Sequence, residues 1–286
     1  MNQKAFAIFV GGIMILSAFA GFILRGNNEG ANTVNTTGPV SLDTFGVQGN
    51  LVDQSFSSLE DTLAMCPENT TMAYWLNMSA SQNLTDAAQA TLPPSFALSY
   101  GSQLYPVKIE RLAVAYFNNT FAEFHWIRPF PVGYDGIVVP YEGYMMIPNT
   151  PDYSAVMGRP TIFGPNKGLE DVLNVVSGGN QSTDKFTLPQ GELADLQVAI
   201  LGKGVSGMNI TLGSGYQEFY MGVSKIDSGY SFDAKYLKPE TGAKEQIKGF
   251  AEQYGLFFSD KGTLTEVSGT VTDGNLKDVL KAFMKP

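Results

Sequence analysis

Two strand-like runs, Glu110 to Phe117 and Thr120 to Ile127, flank the dipeptide Asn118-Asn119, and this hairpin constrains the fold more than any other stretch. Asn tolerates positive φ better than other side chains, so the dipeptide predicts the two left-handed positions of a type I′ turn. Pairing about that turn places Leu112, Val114, Tyr116, Phe121 and Ile127 on one face, and Ala113, Ala115, Phe117, Phe124 and Trp126 on the other. Both faces are apolar. Such a sheet is covered on both sides, or covered on one and offered to a partner on the other.

A second hairpin is expected from Tyr216 to Ile226 and Tyr230 to Leu237, about a three-residue loop Asp227-Ser228-Gly229 with Gly in the left-handed position. After Pro239 the period becomes helical, with Ile247, Phe250, Ala251 and Tyr254 on one stripe and Gly255 as the stop. Helices and antiparallel strands alternate without a βαβ rhythm, which is the α+β class.

One internal echo recurs. Val47 to Leu51 precedes Leu59-Glu60-Asp61-Thr62-Leu63, Ile162-Phe163-Gly164 precedes Leu169-Glu170-Asp171-Val172-Leu173, and Val267 to Val271 precedes Leu276-Lys277-Asp278-Val279-Leu280. Each predicts a strand, a Gly turn and a helix with an acid in its first turn, where the macrodipole favours it. The repetition predicts two related lobes of mainly antiparallel sheet with packed helices, an acidic one over 41–150 and a second over 151–286. Pro148, Pro151 and Pro160 mark the boundary.

The first residues set the expected address. Ala5 to Leu24 carries no charge between Lys4 and Arg25, and twenty helical residues span about 30 Å, the thickness of a bilayer core. Ala18-Phe19-Ala20 also has the shape of a cleavage site, so secretion after cleavage is the alternative. A retained signal-anchor over 1–25 accounts better for the apolar Gly21 to Leu24 that cleavage would leave behind. Residues 26–40, rich in Gly, Asn and Thr, form a tether. The expected arrangement is a single-pass cell-membrane protein with its C-terminal mass outside the cytoplasm.

Cys66 is the single cysteine, so no intramolecular disulfide forms, which disfavours the eukaryotic secretory route. Asn35, Asn69, Asn77, Asn83, Asn118, Asn180 and Asn209 all begin Asn-x-Ser/Thr sequons. Chance predicts about two to three in a chain of this composition. The excess points to a glycosylated surface and, with the missing disulfides, to an archaeal envelope. Leader, tether and sequons together resemble exported archaeal surface proteins. Residues 26 to 107 hold seven acids and no Lys or Arg, so nucleic acid is excluded as a partner of that half.

Few residues offer catalytic chemistry. Gly202-Lys203-Gly204-Val205-Ser206-Gly207 has dinucleotide-fingerprint spacing, but β-branched, Gly-broken sequence follows it instead of a helix, so it is assigned to a loop. Ser182-Thr183-Asp184-Lys185 matches Ser-x-x-Lys without the companion motifs and without a helical pattern. His125 is the only histidine and shares a face with Glu123, which allows a Glu-His pair, but no nucleophile elbow accompanies it. Cys66 has no basic neighbour and is expected to be buried and inert.

The expected function is therefore a non-catalytic binding or assembly protein of the envelope. It would be attached to the membrane by its N-terminal helix, take an envelope protein or glycan as partner, and need no cofactor or metal. The alternative is a carboxylate-dependent glycan hydrolase built on Glu123, Asp135 and Glu142. The binding residues expected are Arg128, Tyr134, Asp135, Tyr141, Glu142 and Tyr144, in a Pro- and Gly-punctuated tract after the first hairpin.

Overall fold

The computed structural model describes residues 49–105, 107–128, 138–202 and 215–284. The expected membrane segment and tether, together with Asn35, Asn209, Tyr134, Asp135 and the glycine-rich run from Lys203, lie outside them. Among the described residues no helix is long and apolar enough to cross a membrane.

The fold is α+β, with one large antiparallel sheet and helices on both of its faces. The strands are β1 (Val52–Asp53), β2 (Thr70–Asn77), β3 (Ile109–Phe117), β4 (Thr120–Ile127), β5 (Val139–Tyr141), β6 (Tyr144–Pro148), β7 (Tyr153–Val156), β8 (Gly158–Arg159), β9 (Thr161–Pro165), β10 (Leu196–Leu201), β11 (Glu218–Ile226), β12 (Gly229–Leu237), β13 (Phe257–Asp260) and β14 (Leu264–Val271). The helices are α1 (Leu59–Leu63), α2 (Gln82–Thr91), α3 (Phe96–Leu104), α4 (Asn166–Val176), α5 (Thr241–Tyr254) and α6 (Leu276–Phe283). Twelve strands run in the order β13-β14-β12-β11-β10-β2-β3-β4-β9-β7-β6-β5, and β1 pairs in parallel with β8. Strands from both sides of residue 150 share this sheet, because β4 pairs with β9 and β10 with β2.

The β3–β4 hairpin forms as its sequence requires. Asn118 and Asn119 have φ of 48° and 58°, and Tyr116 pairs with Phe121. Leu112, Val114, Tyr116 and Ile127 enter a core with α2, α3, α5 and α6. Ala113, Ala115, Phe117 and Phe124 enter a second core on the opposite face with α1 and α4. At roughly 2 to 3 kcal/mol for each large apolar side chain removed from water, both faces gain by being covered. Gly168 lets α4 approach β4, since a Cβ there would lie 2.5 Å from the Phe121 carbonyl oxygen.

The second hairpin departs from expectation in its turn. Ile226 pairs with Gly229, so only Asp227 and Ser228 form the loop, and Gly229 opens β12 at φ 139°. A Cβ on Gly229 would fall 2.4 Å from the Val271 oxygen, so close packing of β14 explains the glycine. Helix α5 ends at Gly255 in the left-handed conformation, as its sequence predicts. The strand–helix echo is present at β9–α4 and β14–α6, but two of its details are corrected. Gly164 and Gly269 lie inside strands, not turns. Helix α4 begins at Asn166, which moves Glu170 and Asp171 out of its first turn.

Candidate functional site

Glu123 and His125 stand two residues apart on β4, so both point to the face covered by α3. Both are fully buried. Glu123 Oε1 accepts the Phe96 N–H at 2.6 Å, and Oε2 accepts the Ala97 N–H at 3.0 Å and the Ser95 hydroxyl at 3.1 Å. These are groups at the start of α3, whose unpaired N–H groups and dipole attract a carboxylate. His125 Nε2 lies 3.0 Å from Glu123 Oε2, and Nδ1 lies 2.7 Å from the Tyr105 hydroxyl. A carboxylate only accepts, so Nε2–H donates to Glu123, and the Tyr105 hydroxyl faces Nδ1. Burial, and then the Glu123 charge, raise the Tyr105 and Tyr116 hydroxyls well above the ordinary tyrosine range.

The Glu-His pair allowed by the sequence thus exists, but in the interior of the molecule. The carboxylate is occupied by a helix terminus and has no solvent access, so it cannot meet a glycan. Cys66 is also fully buried, and burial pushes its thiol up, away from the reactive thiolate. Ser182 and Lys185 lie in irregular chain, with Ser182 bridged to Pro67.

The residues expected to bind are dispersed in role. Arg128 is exposed, 3.7 Å from Glu110 and with its guanidinium 5.7 Å from the centre of the Trp126 ring. Glu142, at φ 48°, and Gly143 form the turn between β5 and β6. Tyr144 is a buried core residue, while Tyr141 packs against the same core and donates to Asn174 Oδ1 at 3.2 Å. Tyr134 and Asp135 lie outside the described residues. Of the sequons, Asn69, Asn83, Asn118 and Asn180 are exposed, and the Asn77 amide donates to Asp195 at 3.0 Å.

Two accessible features remain. A cleft of about 610 Å³ lies where β2, β10 and β11 meet, lined by Thr71, Lys185, Leu201 and Glu218 among others. The Glu218 carboxylate is tied down by the Thr187 and Leu188 N–H groups, each at 2.8 Å. The broader feature is the face of β12, β14 and β13 away from α5 and α6. It presents Ser231, Asp233, Lys235, Glu266, Ser268 and Thr270, with Phe257 71% exposed at its edge. Lys235 donates to Glu192 at 2.5 Å and lies 3.7 Å from Asp233. Burial raises the Asp233 carboxyl, with Lys235 opposing. Burial acts against the Lys235 ammonium, but its bond to Glu192 and the charge of Asp233 raise it above the ordinary range.

Ser95 and Tyr105 escaped the sequence-based expectations. Pro93-Pro94-Ser95 before the apolar Phe96-Ala97-Leu98 carries a helix-start signal that could have located Ser95. Nothing local connects Tyr105 to β4.

No known family matches the chain, and no curated protein matches it. Solved structures of TP0453 are similar. Crystal form III shares 11% identity at a TM-score of 0.48, covering 80% of this chain and 99% of the other. Crystal form I shares 9% identity at a TM-score of 0.49, covering 78% of this chain and 98% of the other.

Proposed function

We propose that this chain is a non-catalytic binding or assembly protein of a cell envelope, archaeal by its sequons and single cysteine. In this reading residues 1–25 anchor it in the membrane, residues 26–40 tether it, and the folded part stands outside the cytoplasm. The observation that carries the proposal is the contrast between buried chemistry and an open sheet face. Glu123 and His125, the residues best suited to acid–base work, are internal, while β12, β14 and β13 offer a broad polar surface. That surface alternates small and charged side chains, with one exposed aromatic, Phe257, at its edge, a mixed polar and apolar pattern that favours a protein partner.

The test is cross-linking and co-purification from native membranes, comparing the wild type with Ser231→Arg and Thr270→Arg. A discrete surface component recovered with the wild type and lost in both variants, at unchanged melting temperature, is the expected result. Glycan turnover by the purified folded part, abolished by Glu142→Gln, would instead establish the hydrolase.

The same reading places glycans on Asn118, at the β3–β4 turn, and on Asn180. Asn77 is disfavoured, because it is half-buried with its amide bonded to Asp195 at 3.0 Å, whereas Asn118 is exposed at a turn and its amide makes a longer contact with Asp171, at 3.3 Å. Mass spectrometry of protein from the native host that finds every Asn bare would refute this. The regions 41–150 and 151–286 are proposed as related units that share one sheet. Native-state cleavage near Thr150 should then leave the two fragments associated.

A further inference from the structure

Glu218, the first residue of β11, pairs with Leu201, the last of β10, so their side chains share one face of the sheet. One step beyond the Ile200–Met72 pair, Thr71 of β2 flanks Leu201 on its other side. All three line the cleft where β2, β10 and β11 meet. Neighbouring strands lie about 4.8 Å apart, so the row from Thr71 through Leu201 to Glu218 spans about 10 Å.

The two ends of this row can accept hydrogen bonds, and its middle is apolar. Glu218 is only 1% exposed, yet among the described residues it belongs to no ion pair. Neutral donors alone hold its carboxylate. Oε1 accepts the Thr187 and Leu188 N–H groups, both at 2.8 Å, and Oε2 accepts the Thr187 hydroxyl at 2.7 Å. A carboxylate offers about four acceptor positions, so one remains on Oε2. Buried charges are ordinarily paired, because an unpaired one is costly to keep away from water. At the other end, the Thr71 hydroxyl donates to the Tyr116 carbonyl at 3.3 Å, and its oxygen can still accept. Lys185, the cation that lines the cleft, is exposed and paired with Glu68 at 3.6 Å.

We infer that this cleft binds a small aliphatic amine with a second hydrogen-bond donor at its far end. Its ammonium supplies the charge that Glu218 lacks, its hydrocarbon lies over Leu201, and its second donor meets Thr71. A metal ion fits less well. Hard cations take about six or more oxygen ligands, and the described residues gather no group of three His, Cys, Asp or Glu. The volume of about 610 Å³ lies within the roughly 300 to 1,000 Å³ of small-molecule sites.

NMR titration of the full chain, followed at the Leu201 methyl groups, tests the site with three probes. These are 5-amino-1-pentanol, pentylamine without the hydroxyl, and 1,5-pentanediol without the charge. The amino alcohol should shift the Leu201 methyls saturably, and the diol should bind at least about tenfold more weakly. Glu218→Gln should weaken the amino alcohol by at least about tenfold. Thr71→Val should weaken it about fivefold while leaving pentylamine unchanged. No saturable shift, equal affinity for amino alcohol and diol, or an unaffected Glu218→Gln overturns the proposal. Should Glu218→Gln fail to fold, the comparison with the diol and Thr71→Val still decide. Equal losses for both amines in Thr71→Val, or none for either, overturn it as well.

Discussion

The β3–β4 hairpin and the β12–β14 pair belong to the same sheet but live in different surroundings. Every residue of β4 from Ala122 to His125 is buried, whichever face it points to. Along β12, Phe232, Ala234 and Tyr236 are buried while Ser231, Asp233 and Lys235 are not. The first pattern is that of a strand between two layers, and the second that of a strand with one face in water. The difference explains where polar groups can be afforded a role. The fully buried Glu123 and His125 of β4 are paired internally, whereas a polar side chain on the open face of β12 can serve an outside partner.

The sharpest way to break this comparison is truncation. Phe124→Ala should cost about 3 to 5 kcal/mol, since it opens a cavity between β4 and α4. Phe232→Ala, on the covered face of β12, should cost a similar amount, while Ser231→Ala and Thr270→Ala on the open face should change stability by less than about 0.5 kcal/mol. Denaturant midpoints at constant m-value check all four. Equal costs on the two faces of β12 would contradict the one-sided account.

Next in size is Glu123→Ala, which leaves the α3 N–H groups and His125 without their acceptor and should cost about 3 kcal/mol. Glu142→Ala, in the β5–β6 turn, should cost less than about 0.5 kcal/mol. If Glu123→Ala is tolerated as well as Glu142→Ala, the buried network does not hold α3.

The smallest effects concern two acids at this end of the sheet, Asp233 on the open face and Asp260 on the side of α5, where it is opposite Thr265 and bonded by Lys244. Asp260 is exposed, and its hydrogen bond with Lys244 and then the Gly262 N–H lower its carboxyl. A lowered folded value means stability that is present above the ordinary Asp value and lost as pH falls through the folded one. Asp233 is raised, chiefly by burial, so its ionised form is disfavoured by folding and that cost disappears on acidification. Asp260→Asn should therefore weaken the protein at neutral pH and lose its effect in acid. Asp233→Asn should do the opposite at neutral pH and also lose its effect in acid. Melting temperatures from about pH 2 to about pH 7 read both signs.

Legibility in the sequence follows the range of the interaction. Asn118-Asn119 and the two apolar faces around them were readable because a hairpin is local and its alternation is strong. Gly255 was readable as a helix stop for the same reason. Pairing of β10 with β2 was not, since Val198 meets Tyr74 across a long stretch of chain and neither strand announces the other. Glu123 could be paired with His125 from spacing alone, but its grip on α3 depends on a helix whose only clue was Pro93-Pro94-Ser95. Tyr144 could not be placed from the sequence, because an aromatic beside an acid looks alike in a groove and in a core, and its burial is what assigns it to the core.

The proposed function rests on the open face, and site-specific photo-crosslinking addresses it directly. A photoreactive side chain is placed at Thr270, on that face, and separately at Lys248, on the exposed side of α5. The proteins are then irradiated in native membranes. The account predicts a discrete cross-linked product from Thr270 and none from Lys248. Products from Lys248 alone would show that the helical side makes the contact and would contradict an account built on the open sheet.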